Sequence, residues 1–181
     1  VLFQEGKIAP VKNLYRGTYA QTKFLADQLL TAADIPYMIL RPGTLITTLN
    51  SLYTFYKKGW VADLRGGASF AQIQEVAKAY ISAINLLIAA PSNHIFNLGG
   101  TNLRFQDVFA CFKLLDFRKT TLVRKELLGA LSLLSDHLLE PLFKQRVLTR
   151  ENYLTGNRFT FLDSSKAHEH LNYTISSFEL S

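Results

Sequence analysis

The chain has 181 residues, of which 48% are hydrophobic and 19% are charged, and its formal net charge is +6. This balance is typical of a globular domain with a substantial core, and it excludes an intrinsically disordered chain. The densest basic runs are pairs at 57–58, 118–119 and 124–125, and none of them lies in a basic stripe interleaved with aromatic residues. Nucleic-acid binding is therefore not expected.

The cysteine content and the apolar runs indicate the compartment. Cys111 is the one cysteine, which excludes an internal disulfide and fits a reducing, cytoplasmic location. No His/Asp pattern frames it in VFACFKLL, so we expect a small buried hydrophobe rather than a nucleophile. The longest apolar runs, YISAINLLIAA and LLGALSLLSDHLLEPLF, are interrupted by polar residues and predict core helices. No membrane span is expected.

The first predicted elements are a strand tail, a helix and a buried strand. VLF at the start reads either as the tail of a strand or as the remnant of a cleavable tag, and we favour the strand. Apolar residues at helical spacing predict a helix from about Tyr19 to Ala33, which Pro36 brings to an end. YMIL, Tyr37–Leu40, is a continuous apolar run between prolines. Such a run is typical of a parallel strand buried on both faces.

Helices and short strands continue to alternate downstream. The remaining predictions are a helix around Leu49–Tyr56, a turn-rich stretch with Gly59 and Gly66–Gly67, a helix over Gln74–Ala89, a strand in HIFNLGG, a helix over Phe105–Leu115, a helical apolar block over Leu122–Phe143, a strand in RFTFLD, and a final helix opened by DSSKA with Asp163 in its N-cap signal. This order predicts an α/β fold with parallel pairing. Two or three good strands are few for such a sheet, so we expect more of the sheet to lie outside this sequence.

A tyrosine and a lysine stand four positions apart twice, as Tyr19/Lys23 and as Tyr53/Lys57. On a helix these positions share one face, and an ammonium beside a phenol favours the phenolate. Such a pair can act as a general acid/base at an alcohol or a carbonyl. The first pair opens a full helix–turn–strand unit and the second stops at Gly59, so Tyr19 is the candidate and Tyr53 an ordinary aromatic residue of a short helix.

Four segments in order resemble the second half of extended short-chain dehydrogenases/reductases, the NAD-dependent epimerase/dehydratase superfamily. They are YAQTKFLADQLL…IPYMILRPGTLI, SFAQIQEVAKAYISAI, HIFNLGGTNLRFQDVF and FLDSSKAHEHLNY. The last is similar to the family's D-x-S-K-A-x-x-x-L-G-Y, with Asn172 where glycine is usual. The resemblance implies the C-terminal part of a Rossmann-like doubly wound parallel sheet. The resemblance also implies a small, mostly helical substrate-binding region.

The resemblance also implies roles for individual residues. Tyr19 would be the proton donor/acceptor at the substrate oxygen, and Lys23 would favour its phenolate and hold the nicotinamide ribose hydroxyls. Further cofactor contacts would come from Arg41, Pro42, Gly43 and Thr44. The substrate pocket would include Thr44, Leu45, Ile46 and Phe55. The cofactor would be NAD or NADP.

Departures from the family pattern limit what this chain does alone. The glycine-rich phosphate turn is absent, and the catalytic Ser/Thr would precede Val1. We therefore expect a C-terminal fragment that binds NAD(P) weakly or not at all. Residues 1–115 are predicted to be the Rossmann-like part with interleaved substrate-binding segments. Residues 116–181 are predicted to be a mostly helical cap with the terminal helix.

The leading functional hypothesis is an NAD(P)-dependent oxidoreductase interconverting an alcohol and a ketone. Its substrate would be a small and apolar molecule, as in the dihydroflavonol-reductase and 3β-hydroxysteroid-dehydrogenase branch, and the family suggests a homodimer. The alternatives are a nucleotide-sugar epimerase or dehydratase, and a non-catalytic or truncated relative. HEH, at 168–170, is interpreted as surface residues rather than a metal site, since i and i+2 point to different sides of a helix.

Overall fold

The computed structural model describes residues 2–3, 19–134 and 150–176. In chain order its elements are β1 Leu2–Phe3, α1 Tyr19–Ala32, β2 Met38–Pro42, β3 Thr44–Leu45, α2 Thr48–Lys57, β4 Trp60–Ala62, β5 Gly67–Ala71, α3 Ile73–Ala89, β6 His94–Leu98, β7 Thr101–Arg104, α4 Phe105–Leu115, β8 Thr121–Val123, α5 Lys125–Leu134, α6 Arg150–Gly156, β9 Phe159–Leu162 and α7 Ser165–Leu171. The pairs β1–β9, β2–β6, β3–β5, β4–β8 and β5–β9 are all parallel. The predicted α/β class with parallel pairing is confirmed.

The described residues fall into two compact units. The first takes the described residues of Val1–Leu45, Ser69–Thr101 and Phe161–Ser181, and the second takes those of Ile46–Ala68 and Asn102–Thr160. The predicted functional division into residues 1–115 and 116–181 stays a prediction.

The first unit is built around the parallel pair β2–β6, in register from Met38↔His94 to Pro42↔Leu98. Parallel strands need a crossover, and α3 supplies it just before β6. The inward face of α3 carries Val76, Ala79 and Ala83 at helical spacing. Together with residues of β5, β6 and α7 they form one core, whose members are Ala71, Val76, Ala79, Ala83, Phe96, Leu98, Ala167, Leu171 and Tyr173.

The second unit holds an aromatic cluster between α2 and α4. Tyr56 is fully buried and its ring lies 5.8 Å from that of Phe112, which in turn meets Phe109 edge to face at 6.0 Å. A buried phenol needs a hydrogen-bond partner, and the Tyr56 hydroxyl donates to the Asp116 carbonyl at 2.5 Å. This bond fixes the end of α4 against α2. The parallel pair β4–β8 completes the connection between these segments.

Most predicted helices and strands are confirmed with shifts of one or two residues. α1 ends at Ala32, one residue before the predicted end, and α4 has the predicted bounds of Phe105 and Leu115. The strand predicted over YMIL, Tyr37–Leu40, runs over Met38–Pro42 instead, because its pairing with β6 continues through Arg41. No helix in the described part of the chain has both the length and the apolarity to cross a bilayer.

Two predicted boundaries are wrong. The block Leu122–Phe143 does not begin as a helix: Thr121–Val123 pair as strand β8, and the helix starts at Lys125. Hydrogen bonding along β4 therefore outweighs the helical propensity of the leucines that follow. The rest of the block, 135–143, lies outside the described residues. The turn-rich stretch also contains β5, Gly67–Ala71, every residue of which is buried.

Cys111 differs from its predicted environment, and the start of α7 is held by other bonds than a side-chain cap. Cys111 is half-buried rather than buried, because it lies on the flank of α4. The predicted N-cap signal of Asp163, Ser164 and Ser165 lies at the start of α7, where Ser164 holds the N-cap position and makes no side-chain cap bond. The Asp163 carboxylate instead accepts from the Ser165 hydroxyl at 2.6 Å and the Ser165 N–H at 3.1 Å, and these bonds hold its pKa below the usual value.

Candidate functional site

Tyr19 is the first residue of α1, and its side chain is 70% exposed. Lys23 lies one turn further along the helix. Its ammonium nitrogen is 5.4 Å from the centroid of the Tyr19 ring. The predicted pair is thus brought together with the phenol accessible to a substrate.

The Tyr53/Lys57 pair has a similar distance from the lysine nitrogen to the ring, but its tyrosine is less exposed to solvent than Tyr19. The Lys57 nitrogen lies 4.8 Å from the centroid of the Tyr53 ring. That ring packs against other aromatics, 5.1 Å from Phe112 and stacked on Tyr56 at 6.2 Å. Distance alone therefore does not separate the two pairs. What separates them is that Tyr53 belongs to an aromatic cluster while Tyr19 faces solvent.

A carboxylate on α1 holds the end of β2. Asp27 follows Lys23 by four residues, so Tyr19, Lys23 and Asp27 succeed one another along one face of the helix. Its Oδ2 accepts from Arg41 Nη2 at 2.7 Å and from Arg41 Nε at 3.2 Å. Both side chains are about a quarter exposed, so the pair is only partly screened. The tyrosine–lysine face of α1 is therefore tied to the strand that carries Arg41. Sequence reasoning missed Asp27.

Gly43 lies at a close approach of two backbones. Its N–H donates to the Leu98 carbonyl at 2.9 Å, continuing the β2–β6 pairing by one bond. A Cβ at this position would lie 2.5 Å from the Ser69 carbonyl oxygen. The glycine of RPG is thus required by packing, whatever else it contacts. Its predicted cofactor contact, like those of Arg41, Pro42 and Thr44, stays a prediction.

Replacing Gly43 with alanine is expected to lower the free energy of unfolding by about 3 kcal/mol. The new Cβ can be accommodated only if backbone moves, because the atom it meets is a carbonyl oxygen. Gly129→Ala is the matched control, since there the nearest atom is on the Tyr153 ring at 3.2 Å and the site is helical. Urea denaturation of the three proteins measures the difference. Equal stability of Gly43→Ala and wild type would contradict the close approach.

The predicted substrate residues divide between the two units. Thr44 and Leu45 form β3 in the first unit, paired with Phe70 and Ala71, and both are half-buried. Ile46 and Phe55 are half-buried in the second unit. Their roles at a substrate stay predictions.

The carboxy-terminal segment holds the turn after β6. The Gly99 N–H donates to the Ser164 hydroxyl at 2.7 Å, and the Gly99 carbonyl accepts from the Tyr173 hydroxyl at 2.5 Å. Burial, with a smaller contribution from Glu75, raises the pKa of Tyr173 to about 12, so the phenol keeps its proton near neutrality. The residue before Gly99, Leu98, accepts a hydrogen bond from the Gly43 N–H. The bonds that hold Gly99 therefore also stabilise the end of β2. Of the two side chains that hold Gly99, Tyr173 is a specified position of the D-x-S-K-A-x-x-x-L-G-Y pattern and Ser164 is not.

The HEH motif does not form a metal site in the described residues. The His170 ring lies 5.9 Å from that of His94 and packs near Phe96. Among the residues with described positions, no group of three or more His, Cys, Asp or Glu side chains could hold a metal ion. Burial lowers the pKa of His94, and the positive charges of Lys166 and His170 lower it further. His168, Glu169 and His170 are exposed, as predicted for surface residues, and the His170 ring packs against residues of β6.

A cleft of about 340 Å³ lies in the second unit. Its walls come from α2, β4, α4 and β8 and include Tyr56, Val61, Phe109, Lys113 and Leu122. Sequence reasoning missed this cleft, since its walls come from segments far apart in the chain.

Comparison with known proteins identifies the fold. No family model and no curated protein matches the sequence. Solved structures do match: MoeE5 in complex with UDP-glucuronic acid and NAD has a TM-score of 0.63 at 16% identity, over 98% of this chain and 55% of that one. The UDP-glucuronic acid 4-epimerase from Bacillus cereus in complex with NAD gives 0.63 at 14%, over 98% and 52%. The UDP-glucose-4-epimerase from Stenotrophomonas maltophila with bound NAD gives 0.59 at 16%, over 88% and 50%.

These similarities confirm the fold expected from the resemblance. The chain has the fold of part of these three NAD-bound structures, and it spans about half their length.

Proposed function

We propose that this chain is the carboxy-terminal part of an NAD(P)-dependent enzyme of the extended short-chain dehydrogenase/reductase type. Tyr19 is its general acid/base, and the reaction interconverts an alcohol and a ketone. The observation that carries the proposal is the exposed Tyr19 ring with the Lys23 ammonium 5.4 Å from its centroid, on a helix tied to the end of β2. The reducing, cytoplasmic location indicated by a lone Cys111 belongs to the same proposal.

The residues present fit the nicotinamide side of a dinucleotide site. The Tyr19 and Lys23 side chains are exposed on α1, and the Arg41–Asp27 ion pair ties the end of β2 to the same helix. The glycine-rich phosphate turn is not in the sequence. NAD(P) supplies the hydride acceptor when bound. Binding of the pyrophosphate falls to residues outside this chain, so the chain alone is expected to bind NAD(P) weakly or not at all.

The chain's own residues move and hold the proton. In alcohol oxidation the Tyr19 phenolate accepts the hydroxyl proton of the substrate, and in ketone reduction the phenol returns it. Lys23 stabilises the phenolate by its charge and holds ribose hydroxyls by hydrogen bonds. Arg41, held by Asp27, keeps the end of β2 in place relative to α1.

A nucleotide-sugar epimerase is the second candidate. The observation that favours it is the nature of the matched structures, two of which are UDP-sugar 4-epimerases with NAD. Such an enzyme uses the same proton transfer at a sugar hydroxyl. The two candidates differ in whether the hydride leaves with the cofactor or returns to the substrate.

The experiment that separates them uses the complete protein that contains this chain. Small apolar secondary alcohols and UDP-sugars are each supplied with NAD or NADP, and both reduced cofactor and sugar epimers are measured. The main proposal expects net reduced cofactor with an apolar alcohol. Epimers formed without net reduced cofactor would replace it by the second candidate. No reaction from either panel, together with no NAD(P) binding, would contradict both.

A further inference from the structure

Two basic segments that are far apart in sequence lie side by side in the second unit. The Arg118 guanidinium donates through Nη1 to the Lys57 carbonyl at 2.7 Å. The Thr121 N–H donates to the Gly59 carbonyl at 2.8 Å, and Trp60 pairs with Thr121 in the β4–β8 ladder. The dibasic pairs 57–58 and 118–119 thus share one surface. The candidate site uses neither of them.

An apolar tip projects from the same surface at the end of α4. Leu114 is 72%, Leu115 60% and Phe117 87% exposed. The turn that presents them is fixed, because the Asp116 carbonyl accepts from the buried Tyr56 hydroxyl at 2.5 Å and from the Arg118 N–H at 2.7 Å. Single exposed apolar residues are common on protein surfaces, but contiguous ones indicate an interaction site.

The charge of this surface indicates which kind of partner would bind to it. The segments 57–60 and 113–119 carry the basic side chains Lys57, Lys58, Lys113, Arg118 and Lys119, against a single carboxylate, that of Asp116. The carboxylate is already 3.4 Å from the Arg118 Nε. A surface that combines exposed leucines and aromatics with a cationic rim complements an anionic lipid bilayer. Two of the three tip residues are leucines, which offer no stacking surface to a nucleic-acid base, so the composition of the tip favours lipid over nucleic acid.

We propose that the tip 114–117 and the surrounding basic residues dock the second unit onto an anionic membrane surface. Phe117 and the two leucines enter the boundary between headgroups and acyl chains. The five basic side chains contact lipid phosphates. The chain lies on the bilayer without crossing it, in keeping with the helices that the structure describes. Nothing in this proposal depends on the proposed catalytic function.

Sedimentation of the complete protein that contains this chain with vesicles tests the proposal. Phosphatidylcholine vesicles with phosphatidylserine are expected to bind the chain, and vesicles of phosphatidylcholine alone are expected to bind it far less. Removing one lysine charge is expected to weaken binding about fivefold, so Lys58→Ala with Lys119→Ala weakens it roughly 25-fold. Phe117→Ala is expected to weaken it roughly tenfold. Raising the salt to about 1 M shortens the screening length to about 3 Å and releases most of the chain.

Matched controls separate docking from loss of folding. Ile88 is 75% exposed on α3 and Lys78 is exposed on the same helix, so Ile88→Ala and Lys78→Ala are expected to leave binding unchanged. Circular dichroism of each variant shows that it folds. The proposal is overturned if vesicles with phosphatidylserine do not bind the wild-type chain, or if the control variants lose binding as much as Phe117→Ala. Stronger binding to a DNA or RNA oligonucleotide that vesicles cannot displace would overturn it in favour of nucleic acid.

Discussion

Tyr19→Phe is expected to lower kcat of the complete protein by about 10²–10⁴-fold, the usual contribution of a general acid/base. Phenylalanine keeps the ring and removes only the oxygen that exchanges the proton. The Tyr19 side chain is largely exposed at the start of α1, so its replacement costs little packing. Steady-state rates with the substrate identified in the two-panel experiment measure the effect.

Tyr53→Phe is the matched control for this change. It has the same substitution and the same spacing to a lysine, whose nitrogen is 4.8 Å from the ring. Its ring stays packed on Tyr56 and Phe112. We expect kcat to change less than twofold, which is small beside the effect at Tyr19. An equal fall of kcat in both variants would contradict a specific role of the Tyr19 hydroxyl.

Lys23→Met is expected to lower kcat by roughly 10–100-fold. The Lys23 nitrogen lies 5.4 Å from the Tyr19 ring centroid, and a unit charge at about that distance contributes roughly 1 kcal/mol with water-like screening and roughly 3 kcal/mol at an effective dielectric of about 20. Methionine keeps a long apolar stem and removes the charge. The apparent KM for NAD(P) is expected to rise as well, because the ribose hydrogen bonds are lost.

Lys23→Arg and Lys57→Met serve as controls for the lysine. Arginine restores the charge but not the compact ammonium geometry, so it should recover most of kcat and little of the KM. Lys57→Met removes a charge from the second pair and is expected to leave both parameters unchanged. A Lys23→Met enzyme with wild-type kcat and KM would exclude Lys23 from the site.

Some helices and strands could be predicted because their sequence pattern lies within a single segment. The run YMIL between prolines and the apolar face of α1 needed no knowledge of tertiary contacts. β5, in contrast, reads GASFA, and glycine, alanine and serine have little strand propensity. It is a strand because its neighbours require small residues: a Cβ on Gly43 would meet Ser69, and the Ser69 hydroxyl accepts from the Leu162 N–H at 2.8 Å. Such close packing is not visible in a single sequence.

The candidate site was predictable where residues share one element and not where they come from several. Tyr19 and Lys23 lie one turn apart, so their contact follows from helix geometry. The Asp27–Arg41 pair joins α1 to β2, and the Ser164 and Tyr173 bonds to Gly99 join distant segments. The same limit applies to the basic surface around Phe117, since the β4–β8 pairing and the Arg118–Lys57 bond bring residues 57–60 next to 118–121.

The central claim is that Tyr19 transfers the substrate proton in a hydride-transfer reaction. It is tested most directly by mixing the complete protein with NAD(P) and substrate and recording reduced nicotinamide in a single turnover. Both candidate functions predict that reduced nicotinamide forms in the wild type, whether it then persists or disappears. They predict that it forms at least 100-fold more slowly in Tyr19→Phe and at the wild-type rate in Tyr53→Phe. Formation at the wild-type rate in Tyr19→Phe would contradict the claim.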